Sequence, residues 1–527
     1  MSRKGKKSSN TKKFIIIGAA VALLVSTIAI AYNPGPTARS NTYIQEFVLP
    51  SQSAAPVGIT VDSSGMVWFA ESGTRKIGRF DPSTEKFTEY ALPGSQQQEG
   101  PNPIASIWVL KFDKDGKLWF PDVPSNAIWK FDPQTAEFET YRIPASSEFG
   151  TSYPINLEFD DDGKIWFSEI YGKNIGMLDP SMVQHNTNKG VTEISPSTNL
   201  ETLGPLALDK DRNIWFTALT YPISGKLMKF DPKENSFTTY SMPQGITSPV
   251  GIAPDDDGTL WINDHGTSMF INFNPSANVT TQYATSLPPR STSIDLYEKC
   301  LRQPNGSVVT CHGYPVSLPY WNSIDSQGRI WFNEHQGNSI GVFDPSGGTL
   351  IEYFIPTQNP QWGACENYQE PCGIANPLQF TLAPDGKVWF TEWSEGRIGV
   401  LDSNVPVPIS LEIESSGGLS SKERPNTVSH GETLTLNISV TASEKLNSNV
   451  QMRISGTIAP VGRLFNMTAE FSEEELAFNE PSTKNLTLKL TPEDELAPGK
   501  YRITVSARYN EVTYSKIVEL IVEPSKI

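Results

Sequence analysis

The side chains best suited to chemistry in this 527-residue chain are two histidines at matching places in a repeat. Asn263-Asp264-His265-Gly266 and Asn333-Glu334-His335-Gln336 each set an imidazole directly after a carboxylate and four residues beyond a tryptophan, in a chain with only five histidines. That pairing suits a metal ligand or a general base. The carboxylate itself recurs. Three residues beyond Trp68, Trp119, Trp166, Trp215, Trp261, Trp331 and Trp389 stand Glu71, Asp122, Glu169, Ala218, Asp264, Glu334 and Glu392, six of the seven acidic. Carboxylates ringing one pore would hold magnesium or calcium, or repel one another until one takes up a proton. Carboxylates turned into their own strands would simply accept local hydrogen bonds. Asp264, Glu334 and Glu392 are the expected metal ligands on the first view, with His335 and His265 as the bases.

These residues need a scaffold that brings distant repeats to one face. The tryptophans are spaced by 51, 47, 49, 46, 70 and 58 residues. Each unit carries four short apolar and polar alternations separated by Asp/Gly or Asp-Pro turns, as in Pro56-Val57-Gly58-Ile59, Val67-Trp68-Phe69-Ala70-Glu71, Lys76-Ile77-Gly78-Arg79-Phe80 and Lys86-Phe87-Thr88-Glu89-Tyr90. Such a period predicts an all-β, seven-bladed propeller over residues 43–402. The seventh unit lacks a fourth strand, and Tyr43 to Pro50 is a stray one, so the N-terminal strand is expected to close the ring and leave no open edge. The start of each first strand then meets the end of each second strand on one face. Besides the acidic column, that face would receive Val57, Trp108, Ile155, Val250, Tyr320 and Leu378, with Trp108 and Tyr320 as substrate-binding candidates.

The chain begins with a basic stretch, residues 1–13, followed by eighteen uncharged residues, Phe14 to Ala31. A single-pass anchor with its basic flank in the cytoplasm is expected, although Ala29-Ile30-Ala31 would also serve as a cleavage site. A linker, 32–42, then places the propeller outside the cell membrane. Removing the six leading cations from a formal charge of −16 leaves −22, which argues against nucleic acid as a partner. Cys300 with Cys311 and Cys365 with Cys372 flank two insertions, as expected for local disulfides in an oxidising compartment. After a Pro-rich linker, 403–408, seven alternating runs over 409–527 suggest an immunoglobulin-like sandwich.

Trp389-Phe390-Thr391-Glu392 with Arg397-Ile398-Gly399, and Pro-Val-Gly-Ile at Pro56 to Ile59 and Pro249 to Ile252, resemble the virginiamycin B lyase family over roughly Tyr43 to Asp402. The resemblance implies magnesium-assisted opening of streptogramin B antibiotics by elimination, with a histidine as base. Matched position by position, the family's His after Pro in the sixth blade is Tyr320 here. Its Glu-Pro-His at the start of the seventh is Asn376-Pro377-Leu378, and Glu392 is a one-residue-shifted stand-in for the second metal carboxylate. Leucine cannot take a proton, which leaves His335 or His265 as the replacement base. The missing histidine favours a surface module that binds a small molecule, glycan or protein. A metal-dependent lyase acting on a cyclic ester, or a lactonase resembling gluconolactonases, is the alternative.

Overall fold

The computed structural model describes residues 39–94, 106–144, 150–196, 200, 202–220, 224–243, 245–288, 297–302, 308–314, 316–359, 373–414, 426–457 and 466–525. Among them every element is a strand, and no helix is long and apolar enough to cross a membrane. The expected anchor at 14–31, and Cys365 and Cys372, lie outside the described residues. Cys300 and Cys311 are Cα partners across the hairpin Tyr297–Arg302 and Val308–Tyr314.

Each repeat is a four-stranded antiparallel sheet, and among the described residues there are seven such sets of strands. The first comprises Pro56–Val61, Val67–Glu71, Lys76–Asp81 and Lys86–Ala91. The last comprises Pro377–Leu382, Val388–Glu392 and Arg397–Leu401, completed by Ile44–Val48, whose register runs from Ile44 opposite Leu401 to Val48 opposite Arg397. Both ends of the repeat array are thereby tied into one sheet.

The tryptophan recurs because it latches the turn before it. Asp62 Oδ1 accepts from the backbone N–H of Ser64 and Met66 while Oδ2 accepts the Trp68 indole N–H at 2.8 Å, and Gly65 supplies the positive φ of the turn. The same latch joins Asp113 to Trp119, Asp160 to Trp166, Asp209 to Trp215, Asp255 to Trp261 and Asp325 to Trp331. Packing is between neighbouring sheets. Trp68 lies in a core with Leu118 and Trp129, and so on around the array until Phe69 and Phe80 meet Trp389 and Ile398, which joins the first sheet to the last.

The described residues between 409 and 525 form a two-sheet sandwich. One sheet runs Ile409–Glu414, Leu434–Ala442, Ser482–Pro492, Met467–Phe471. The other contains Val512–Glu523, Gly499–Tyr509 and Val450–Gly456. Leu411, Leu436, Ile438, Leu488, Ile503 and Val505 fill the space between. The sandwich does not hang free. Val512–Glu523 pairs antiparallel with Thr349–Phe354, the outer strand of the sixth propeller sheet, from Thr349 opposite Lys516 to Tyr353 opposite Val512. Ser455 and Thr504 hydroxyls donate to the carbonyls of Thr285 and Ala284 beside the fifth sheet, and Arg502 lies 4.9 Å over Tyr283.

Candidate functional site

The first-strand column converges as its spacing predicts. Val57, Trp108, Ile155, Val250, Tyr320 and Leu378 are all buried in one apolar cluster at the hub. Val123 and Ile170, four residues beyond their tryptophans, join them, with Tyr171, Trp321 and Trp393 half-buried at the margin. The space between Trp108, Tyr153, Tyr320 and Trp321 is only about 20 Å³, room for a water molecule. A ligand at this face must therefore rest on the aromatic surface or move it aside.

The two histidines belong to the same column and meet. His265 Nε2 lies 3.0 Å from His335 Nδ1, and the His265 ring packs on Tyr320 with centroids 4.5 Å apart. Their backbones are fixed, since His265 N–H donates to the Ser248 carbonyl and His335 N–H to that of Leu318. Burial pushes the His335 imidazole down to about 4, opposed by a hydrogen bond from the imidazole to the Asn376 side chain. Burial, and then the neighbouring His335, also hold His265 well below the ordinary histidine range. Near neutral pH both rings are uncharged, so one donates its single N–H to the other across the gap.

The acidic column behaves otherwise, and here the pore-facing expectation is corrected. Strand side chains alternate, and the residue three beyond each tryptophan shares a face with the phenylalanine or isoleucine one beyond it, which packs between sheets. Glu71, Asp122, Glu169, Asp264, Glu334 and Glu392 are accordingly buried within the blades, not around the hub. Asp264 accepts from the Thr247 and Ser248 backbone N–H groups and from the Thr267 hydroxyl at 2.8 Å, while burial pushes it up to about 6. Asp122 is gripped by Arg75 from the preceding sheet. Burial lifts Glu334 to about 7, with the Ser339 hydroxyl donating to it. Burial and Glu46 hold Glu392 well above the usual carboxylate range, with Arg397 4.0 Å away.

The magnesium or calcium that the family resemblance implies is not fitted by these residues. Asp264 and Glu334 accept hydrogen bonds from their own blades, Glu392 has Arg397 4.0 Å away, and among the described residues no three His, Cys, Asp or Glu side chains are grouped to hold a metal. Sequence reasoning also missed a second carboxyl beside four of them: Glu89, Glu193, Glu352 and Glu46, each on a fourth strand opposite a third-strand glycine. The signal was present in those glycines. A Cβ on Gly78, Gly176 or Gly399 would stand 2.2 Å or less from the ring of Phe69, Phe167 or Phe390, so the pattern Phe-x-Glu, Gly, Glu marks one packed layer.

The fold is similar to that of known proteins. The model of the virginiamycin B lyase family matches residues 13–145. A streptogramin B lyase structure is 22% identical, with 68% of this chain and 97% of that chain covered at a TM-score of 0.51. Virginiamycin B lyase from Staphylococcus aureus is 21% identical, with 68% and 98% covered at a TM-score of 0.50. No curated protein matches the chain. The all-β array is a virginiamycin B lyase-like propeller.

Proposed function

We propose that this propeller, closed as a ring of seven blades and held outside the cell by the 14–31 segment, is a binding module for a small molecule or glycan that presents a flat apolar face. Support comes from the hub face, where Trp108, Tyr153, Tyr320 and Trp321 offer aromatic surface and the neutral His265–His335 pair offers one donor and one acceptor. The carrying observation is that the two histidines hydrogen-bond each other rather than a carboxylate. A base held at about 4 is weak at neutral pH, because efficient proton abstraction wants a pKa near the working pH. Leu378 stands buried where the resembling family would place its histidine.

The C-terminal unit is read as an immunoglobulin-like sandwich that braces the fifth and sixth blades. The facing Cys300 and Cys311 are read as a disulfide, which intact-mass measurement before and after reduction would reveal. The alternative function is a lyase or lactonase that uses His335 or His265 as base. Incubating the purified chain with a streptogramin B antibiotic and following ring opening by mass spectrometry separates the two. The binding reading expects unaltered antibiotic and expects quenching of tryptophan fluorescence by the cognate ligand, weakened in Tyr320→Ala. Ring opening that disappears in His335→Ala would overturn it.

A further inference from the structure

Four blades bury a pair of carboxyls in one repeated arrangement. The second-strand glutamate faces the first residue of the third strand: Glu71 opposite Lys76, Glu169 opposite Asn174, Glu334 opposite Ser339 and Glu392 opposite Arg397. The partner glutamate, Glu89, Glu193, Glu352 or Glu46, lies on the fourth strand two positions along the same face, opposite glycine. Two carboxyls this close cannot both ionise away from water without a positive charge.

Three of the pairs have one. In the first blade Lys76 Nζ lies 2.6 Å from Glu89 Oε2. In the seventh, Arg397 reaches towards Glu392 and Glu395, at 4.0 Å and 3.8 Å. In the sixth, where the matching residue is the neutral Ser339, Arg508 comes across from the sandwich, packs 4.3 Å from the Phe354 ring and acts on Glu352. The third blade differs. Glu169 faces Asn174, Ser152 and Glu193 instead, and no lysine or arginine acts on it among its leading influences. Glu169 is fully buried with neither carboxylate oxygen hydrogen-bonded, and Glu193 Oε1 is in the same condition. Glu193 is half-buried, so the pair is open to solvent along one edge.

We propose that Glu169 and Glu193 form a calcium site, in which a diffusible cation occupies the place that Lys76 and Arg397 fill in the first and seventh blades. The oxygen donors around it are the two carboxylates and the Ser152 hydroxyl, with the Asn174 amide oxygen, which accepts from the Ser195 hydroxyl at 2.7 Å, alongside and water for the remaining positions. Two negative charges with a short supply of protein donors favour a divalent ion. Calcium's flexible shell of six to eight oxygens suits such an edge better than the strict octahedron of magnesium. The site lies in the body of the third blade and is independent of the hub face.

The test uses the full-length chain stripped with a chelator. Isothermal titration with calcium chloride should show one binding event per chain, and millimolar calcium should raise the melting temperature by about 2 °C or more, since an ion that binds only the folded state stabilises it. Glu193→Gln should lose the heat of binding and the thermal shift. Asn174→Lys, which installs the charge found at Lys76, should melt higher than the parent in chelator and no longer respond to calcium. Absence of any calcium response in the parent chain between pH 7 and 8 overturns the proposal, and means that the pair shares a proton instead. A response that survives both substitutions overturns it equally, because calcium then binds elsewhere.

Discussion

Replacing Glu352 by glutamine should make the propeller more stable at pH 8 while changing little at pH 5. Glu334 and Glu352 are buried side by side. They face the Ser339 hydroxyl, the Ser286 backbone N–H at 3.0 Å from Glu352, the hydroxyls of Thr285 and Ser317, and one cation among the described residues, Arg508 of the sandwich. Burial lifts Glu334 to about 7, and burial followed by Glu334 holds Glu352 well above the usual carboxylate range. The folded chain thus keeps protons that the unfolded chain gives up above about pH 4.5, so stability is fully present below that value and is lost as pH rises through the folded-state values. A rise from 4.5 to about 7 for one carboxyl corresponds to about 3 kcal/mol at pH 8, an upper bound because the two share the effect. Glutamine keeps the volume, removes the repulsion and leaves an ionised Glu334 to face Arg508. The expected gain is about 1–3 kcal/mol at pH 8 and less than about 0.5 kcal/mol at pH 5. Urea unfolding followed by tryptophan fluorescence measures it cleanly, since all 12 tryptophans precede residue 394 and report on the propeller alone. A variant that loses stability equally at both pH values refutes the shared-proton account.

Arg75→Met should cost about 3 kcal/mol in the same urea assay, because it strands Asp122, which is fully buried, without its cation; adding Asp122→Leu should recover most of the loss. Ending the chain at residue 408 removes the strand that covers Thr349–Phe354, so the shortened protein should self-associate in light scattering through that open edge. A monodisperse monomer would show that the edge is protected in some other way.

The architecture was legible because its determinants are local. Asp62 to Trp68 is a complete turn latch within seven residues, and six sheets carry it. The N-terminal closure was legible for a related reason: Tyr43 to Pro50 is a fourth strand with no first three before it, and a strand needs a sheet. The docking of the sandwich was not. Thr349–Phe354 and Val512–Glu523 join through backbone hydrogen bonds between segments far apart in the chain, and such pairing leaves little trace in side-chain types. The direction of the acidic column was left open between the hub and the blade, and strand alternation, which places Glu71 on the face of Phe69 where it packs against the neighbouring sheet, was the signal that could have decided it.

That direction bears on what the histidines can do. Had Asp264 and Glu334 shared the hub with His265 and His335, each imidazole would have had a carboxylate to raise its basicity and hold a tautomer. Turned into their own blades, the carboxylates leave the rings facing each other, Tyr320 and Asn376 among the described residues, in surroundings that favour the neutral form. A neutral imidazole pair bonded internally still has one ring nitrogen on each histidine outside that bond, a polar point set in an aromatic surface. Such points orient a hydroxyl or amide of a bound molecule without requiring it to react. On the proposed reading, the same backbone end that would serve a base in a lyase would serve recognition, and the difference lies in where the strand alternation sends six carboxylates.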